Sequence, residues 1–262
     1  MAISDRPLWL VFLGSVVLIA VALEVGFRMG SAVGRRSENE KESHVSAVTG
    51  TVLALLAFML AFTFGIVANR YDARKELVRE QAITISTAYQ RTDFLPQPDR
   101  DEAQALFRTY MDVLLDAAES LDITTISSDI VQLNEINAQL WDMGVEHASL
   151  APESEVLALY VASLNSVGDI QEIRVAVAVQ ARLPDGIWFA LSALVLLAMV
   201  AVGYQSAIAK SQRSWILVLL ALSFATVITL IAVLDNPESG YLQVSQQPLI
   251  DVQNSMAEEP AP

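Results

Sequence analysis

Four long windows with almost no charged side chain constrain the fold of this chain more than any other feature. Each is long enough for an α-helix to cross a hydrocarbon layer about 30 Å thick, because a helix rises about 1.5 Å per residue. The sequence therefore predicts four transmembrane helices. The windows cover Leu8 to Phe27 (interrupted once, by Glu24), Val45 to Ala68, Ile187 to Ala209 and Ser214 to Leu234.

The first window has a second interpretation, as a cleaved secretory signal. Ala20 and Ala22 form the small-x-small pattern of a signal-peptidase site. At the amino end, however, Asp5 offsets Arg6, and the apolar run continues past Ala22. A signal needs a basic amino end and a short apolar region, so we expect a retained transmembrane helix.

The windows form two pairs on either side of a long acidic segment. From Asn69 to Gly186 the chain has 20 acidic and 9 basic residues, so most of its net charge of −14 belongs there. We expect the last residues, "MAEEPAP", to be disordered. The predicted organisation is a first transmembrane pair with a short link (1–68), a helical acidic extramembrane domain (69–186), a second transmembrane pair (187–234) and a carboxyl-terminal turn and tail (235–262).

Apolar stripes at helical spacing fill the acidic segment and predict three helices there. Asp99 and Glu102 follow Pro98 as a capping box, so the first of these helices should begin there. The second should begin near Ser127 or Ser128, and the third near residue 152. Alternating strand patterns and Gly-rich phosphate loops are absent from the sequence. The predicted fold class is an all-α membrane protein, with four transmembrane helices in two pairs flanking a helical extramembrane domain.

The second window passes into a densely charged stretch without a turn, in "LLAFMLAFTFGIVANRYDARKELVREQ" at residues 55–81. Beyond the membrane its apolar residues thin to a stripe with a seven-residue spacing, which suits packing against other helices. We expect one continuous helix from the second span to about Arg91, coupling the membrane part to the middle domain. The stripe consists of Tyr71, Val78 and Ile85.

Composition and motifs argue against enzymatic activity and against metal or cofactor sites. The chain has no cysteine, which excludes disulfides and thiolate sites, and His44 and His147 lack metal-ligand spacing, so we expect both at the surface. Asp235 and Glu238 are explained by a helix-ending turn without a cation. The sequence contains no nucleophile elbow, Walker loop or paired-carboxylate site. We therefore expect no enzymatic activity, no cofactor and no metal, and the acidic middle domain argues against nucleic acid as a partner.

Several segments together resemble the bestrophin-like family of bacterial integral membrane proteins. They are "LAFMLAFTFGIVANRYDARKELVREQA", "TAYQRTDFLPQPDR", "FRTYMDVLLD" and the ending "LDNPESGYLQVSQQPL" with its Asp-x-Pro-x-x-Gly turn. This chain departs from the pattern at Ile83 and Ser86, where an Asn and a Gly would be expected. The resemblance implies a bacterial inner-membrane location and remote kinship with bestrophins, which are pentameric anion channels with four spans and a helical cytosolic domain.

That kinship implies that the second span lines a pore in a homo-oligomer, a pentamer if the chain is bestrophin-like. Apolar rings around an axis can gate by dewetting, and a cation at the mouth attracts small anions. The same stripe is also explained as an ordinary helix-packing seam. A non-transporting membrane sensor or scaffold, commonly a dimer, is therefore the alternative function. The pore-lining candidates are Leu55, Phe58, Phe62, Ile66 and Arg70.

Sidedness is predicted by the basic residues near the spans. The short links contain six of them, whereas the amino end has only Arg6, so the positive-inside rule places the links in the cytoplasm and the middle domain outside. The resemblance implies the reverse, as do the basic residues just past the second span. We expect an extracytoplasmic middle domain, with both termini on its side. The link residues are Arg28, Arg35, Arg36, Lys41, Lys210 and Arg213.

The end of the first span contains a series of regularly spaced glycines and a pair of opposite charges. Gly26, Gly30 and Gly34 have the small-xxx-small spacing that lets transmembrane helices approach closely. Only Gly26 lies in the hydrocarbon window, so we expect the other two to belong to a flexible link. Glu24 and Arg28 are four residues apart and should form an interfacial pair.

Overall fold

A computed structural model describes residues 7–34, 42–120, 123–180, 182–209, 215–236 and 242–258. These ranges contain no β-strand, which confirms the all-α fold class. The helices are α1 (Leu8–Gly34), α2 (Glu42–Gln90), a short 3-10 helix (Arg91–Phe94), α3 (Asp99–Glu119), α4 (Ile123–Leu150), α5 (Glu155–Gln180), α6 (Asp185–Ile208), α7 (Trp215–Asp235) and α8 (Gln247–Glu258).

Helices α1, α2, α6 and α7 each contain an apolar stretch long enough to cross a membrane. They fall on the four uncharged windows of the sequence, so the prediction of four spanning helices is confirmed. Hydroxyl side chains on these helices have no water to bond in apolar surroundings, so they donate hydrogen bonds to the backbone carbonyl one turn earlier. Thr229 Oγ1, for example, donates to the Ala225 carbonyl oxygen at 2.7 Å.

Helix α2 is continuous over 49 residues, as predicted. In its first half Leu56, Leu60 and Val67 are buried at steps of four and seven residues. In its charged half the buried residues include Val78 and Ile85, at the predicted seven-residue spacing, while ion pairs form on the wet face. Those pairs are Asp72 with Lys75 at 3.7 Å and Glu76 with Arg79 at 3.4 Å. Tyr71, the first residue of the predicted stripe, is half-buried and packs against the core of the transmembrane unit.

The chain divides into two compact units. The transmembrane unit comprises residues 1–71 and 181–243, and the helical unit comprises residues 72–180 and 244–262. The boundary between them falls inside α2. Each unit has its own buried apolar core.

In the transmembrane unit, α1 and α6 pack against each other through glycines. A Cβ atom built on Gly26 would overlap the carbonyl of Val200, and one on Gly203 would overlap the carbonyl of Leu23. Gly30 approaches Tyr204 in the same way. The expectation of a flexible link at Gly30 and Gly34 is therefore wrong, because α1 continues to Gly34 and Gly30 packs on α6. The Glu24–Arg28 pair forms as predicted, at 2.9 Å.

The core of the helical unit is built from α3, α4, α5 and the second half of α2. Its largest fully buried side chains include Phe107, Tyr110 and Tyr160, and Phe107 meets the ring of Tyr89 edge-on with centroids 6.2 Å apart. Such pairs add about 1 kcal/mol beyond area burial. The core is thus aromatic where α2 and α3 meet.

Helix α8 belongs to the helical unit and packs on α3. Leu249 and Met256 are buried, and Arg108 Nε donates to the Met256 carbonyl oxygen at 3.1 Å. The expected disorder of "MAEEPAP" is therefore wrong for its first three residues, which form the last turn of α8. The remaining four lie outside the described residues.

Helix α3 begins at Asp99 as predicted, whereas the starts of α4 and α5 differ from the predicted positions. No side chain caps α3, so the predicted capping box does not form. The Asp99 carboxylate instead lies 2.6 Å from His147 Nε2, whose side chain is only 15% exposed, so the surface placement of this histidine is wrong. Helix α4 begins four residues earlier than Ser127, and α5 begins three residues after Pro152.

The close approach of α1 and α6 makes a clear prediction. Gly26→Ala should destabilise the protein by about 1–3 kcal/mol, because the added methyl group meets rigid backbone. Gly14→Ala is the matched control, since a Cβ there meets no atom within 4 Å. Thermal unfolding in detergent should show a lower midpoint for the first variant alone. Equal midpoints for the two variants would contradict the packing.

Candidate functional site

Three of the five predicted pore residues share one outward face of α2. Leu55, Phe58 and Phe62 are 52%, 65% and 60% exposed in the single chain. The Phe58 and Phe62 rings lie nearly parallel, with centroids 6.3 Å apart. Leu56 and Leu60 on the opposite face are buried in the transmembrane unit. Helix α2 thus presents a continuous apolar surface to lipid or to a neighbouring subunit.

The other two candidates follow Phe62 at four-residue steps along α2 and are more buried than the first three. Ile66 is half-buried and packs against the core of the transmembrane unit. Arg70 is 31% exposed and directs its Nη1 atom toward Asp235, 3.9 Å from Oδ1. Leu55, Phe58 and Phe62 thus form the exposed part of the predicted pore stripe, and Ile66 and Arg70 continue it along α2 with more of their surface buried. A pore-lining role for the five residues stays a prediction.

Asp235, the last residue of α7, is the most deeply buried carboxylate among the ion pairs of the described residues, with its side chain 1% exposed. Its Oδ1 atom accepts a hydrogen bond from the Leu183 backbone N–H at 2.7 Å, and its Oδ2 atom accepts one from Trp188 Nε1–H at 3.2 Å. Burying a carboxylate is costly unless donors replace its water. Asp235, Leu183, Trp188 and Arg70 together form the Asp235 junction, which joins α2, α6 and α7.

Sequence reasoning treated Asp235 as a turn residue and missed this junction. The positions of three polar residues at the ends of the spans could have indicated the junction. Asp235 directly follows an apolar span, Arg70 lies just past another, and Trp188 opens a third. Polar groups at the ends of neighbouring spans can lie at similar depth, and an ionisable residue there usually has a partner.

A second polar cluster lies inside the helical unit, and sequence reasoning missed it as well. Gln81 Nε2 donates to Gln171 Oε1 at 2.8 Å, and the Arg174 guanidinium donates through Nη1 to Gln81 Oε1. Through Nη2, Arg174 also contacts Gln246 Oε1 at 3.4 Å. The Tyr110 hydroxyl hydrogen bonds to Gln81. These five residues form the Arg174 cluster.

The position of Gln81 on α2 could have revealed this cluster. It lies three residues after Val78 and four before Ile85, so it falls on the predicted buried stripe and is fully buried. A glutamine on such a stripe needs hydrogen-bond partners from other helices. The helices that supply them could not be read from the local sequence.

Burial governs the electrostatics of the Arg174 cluster. It raises the pKa of the Tyr110 hydroxyl well above its ordinary value, although Arg174 and the hydrogen bond to Gln81 act in the opposite direction. Burial also lowers the pKa of Arg174, partly offset by Tyr110. Tyr110 is therefore a neutral hydrogen-bonding group at physiological pH, and Arg174 is the one ionised member of the cluster.

Comparison with known protein families gives one match. The model described as the Bestrophin-like domain matches residues 16–249, nearly the whole chain. The chain belongs to the bestrophin-like family. Comparisons with curated proteins and with solved structures find no match. The resemblance drawn from the sequence segments is confirmed.

In this bestrophin-like protein, the Asp-x-Pro-x-x-Gly ending begins with Asp235 itself. The aspartate of that turn is a buried hydrogen-bond acceptor in the transmembrane unit. Within the described ranges, no group of three or more His, Asp or Glu side chains could hold a metal ion.

The junction predicts a specific response to Asp235→Asn. The amide keeps one acceptor oxygen but turns an NH₂ group toward a donor, and it leaves Arg70 without its counter-charge. We expect a loss of about 2 kcal/mol of stability and a shift in Trp188 fluorescence. Asp185→Asn, at an exposed position in the first turn of α6, removes the same charge and should leave both nearly unchanged. An unaltered melting midpoint for Asp235→Asn would count against the junction.

Proposed function

We propose that this protein is a non-enzymatic, homo-oligomeric anion channel of the bacterial inner membrane, with α2 lining the pore. The observation that supports this most is the exposed apolar face of α2, formed by Leu55, Phe58 and Phe62. The opposite face of the helix is packed within its own transmembrane unit, so the exposed face is free to meet other copies. Membership of the bestrophin-like family supports a membrane-embedded oligomer.

Rings of phenylalanine around an axis would act as a hydrophobic constriction. Water leaves a narrow apolar neck, and an ion cannot shed its hydration there cheaply, so the neck resists conduction until it widens. In this proposal Phe58 and Phe62 form two adjacent rings one helical turn apart. Leu55 continues the same lining surface toward the start of α2.

Arg70 supplies the anion preference in this proposal. It lies two turns beyond Phe62 on the same helix, and its side chain is partly exposed. A cation near the mouth of a pore raises the local concentration of anions. Asp235 neutralises part of that charge, so the attraction would be weaker than that of an unpaired arginine.

Removing both aromatic rings tests the constriction. Phe58→Ala with Phe62→Ala should raise the current in reconstituted bilayers, because a wider neck stays wet. Phe64→Ala, which removes an equal ring from another face of α2, should leave the current unchanged. In the same assay, Arg70→Gln should lower the preference for anions over cations.

Oligomeric state must be measured on the same samples. If the double variant assembles like the parent and neither protein conducts any ion, the channel proposal is wrong. A non-transporting sensor or scaffold would then be the better description. If the double variant fails to assemble, the aromatic face is a packing seam between subunits.

We further propose that the helical unit lies on the extracytoplasmic side, together with both termini. The concentration of lysine and arginine in the two short links supports this orientation. Reporter fusions at the two termini and near residue 120 should give the same extracytoplasmic signal. A cytoplasmic signal at all three positions would reverse the orientation, and a split result would refute the four-span topology.

A further inference from the structure

Arg174 is partly buried, and among the described residues it has no acidic partner. The described residues contain six ion pairs within 4.0 Å, and none of them includes Arg174. The acceptors for its guanidinium are the neutral side-chain oxygens of Gln81 and Gln246. A guanidinium has five N–H donors, so these two contacts leave donors that can meet water or a ligand where the side chain is exposed.

The two acceptors are not equivalent. Gln81 is fully buried and is fixed by its second hydrogen bond to Gln171. Gln246 is half-buried, and its contact with Arg174 is 3.4 Å, much longer than the roughly 2.8 Å of a strong charge-assisted hydrogen bond. Its amide also donates to the Val244 carbonyl oxygen in its own segment at 2.8 Å. The Gln246 oxygen is thus a weak and partly accessible acceptor for Arg174.

We propose that Arg174 is the centre of a binding site for a small oxyanion of the carboxylate or phosphate class, in which the anion replaces the Gln246 oxygen. The planar guanidinium matches two oxygens of such an anion at once, which a single amide oxygen cannot do. The bound anion also supplies the counter-charge that the cluster lacks. The site is independent of whether the protein conducts ions.

The overall charge of the helical unit disfavours unspecific anion binding. The unit is strongly acidic, so its general field repels anions and gives no unspecific uptake. A saturable anion effect on this protein must therefore come from a local arrangement of donors. Arg174 provides one at the partly open end of an otherwise buried cluster.

Thermal unfolding of the full-length protein in detergent tests the site. Sodium formate and, separately, sodium phosphate replace sodium chloride at constant ionic strength. The parent should gain a saturable increase in its unfolding midpoint with at least one of the two, and the better probe identifies the class. Arg174→Gln should lose that response, whereas Arg79→Gln, which removes an exposed arginine from the same unit, should keep it.

Gln246→Glu keeps the proposal testable if Arg174→Gln does not fold. It places a carboxylate of the chain itself beside Arg174, so it should raise the midpoint without any added anion and abolish the response to formate and phosphate. An equal response in the parent and in either Arg174→Gln or Gln246→Glu would overturn the proposal. A parent that responds to neither probe would overturn it as well.

Discussion

The transmembrane unit depends on the buried carboxylate of Asp235. A charge at that depth is tolerated because two hydrogen bonds replace its water, one from the Leu183 backbone N–H and one from the Trp188 indole N–H, and because the Arg70 guanidinium lies 3.9 Å away as a counter-charge. Both donors lie at or just before the start of α6, so the end of α7 and the start of α6 are joined by hydrogen bonds, with Arg70 of α2 beside them. In lipid the hydrophobic effect gives no driving force between helices, so close packing and hydrogen bonds must fix how they meet. The glycine contacts do this between α1 and α6, and the Asp235 hydrogen bonds do it between α6 and α7.

The orientation of α2 follows from the side chains that it buries. Leu60 and Val67 lie in the core of the transmembrane unit, and Phe58 and Phe62 point out of it. The Arg70 guanidinium, 3.9 Å from Asp235, adds a polar contact near the end of the span. The outward aromatic face is therefore a consequence of the apolar packing on the other side of the helix. The Phe58 and Phe62 side chains therefore point outward from the transmembrane unit in a fixed direction, as the lining side chains of a channel would have to.

Local patterns predicted much of this fold, and distant contacts account for what they missed. Hydropathy and periodicity act within one helix, so the four spans, the continuous α2 and the shared face of Leu55, Phe58 and Phe62 were predictable. The close approach at Gly26 and Gly30 was not, because its partners on α6 are more than 170 residues away. The predicted capping box failed for a similar reason. The Asp99 carboxylate has a nearer partner in His147, which the chain supplies 48 residues later.

The two polar sites show opposite solutions to the same energetic problem. Asp235 is surrounded by donors and faces a cation, so its burial is compensated within the chain. Within the part of the chain that the structure describes, Arg174 is contacted by glutamine oxygens and lies near a neutral tyrosine, so its charge is solvated but not balanced there. A structural arginine gains most from a carboxylate, and the surrounding unit has many carboxylates that could have served. The neutral acceptors of Arg174 and its long contact to Gln246 therefore fit the proposed site for an anion from outside the chain better than a purely structural contact between helices.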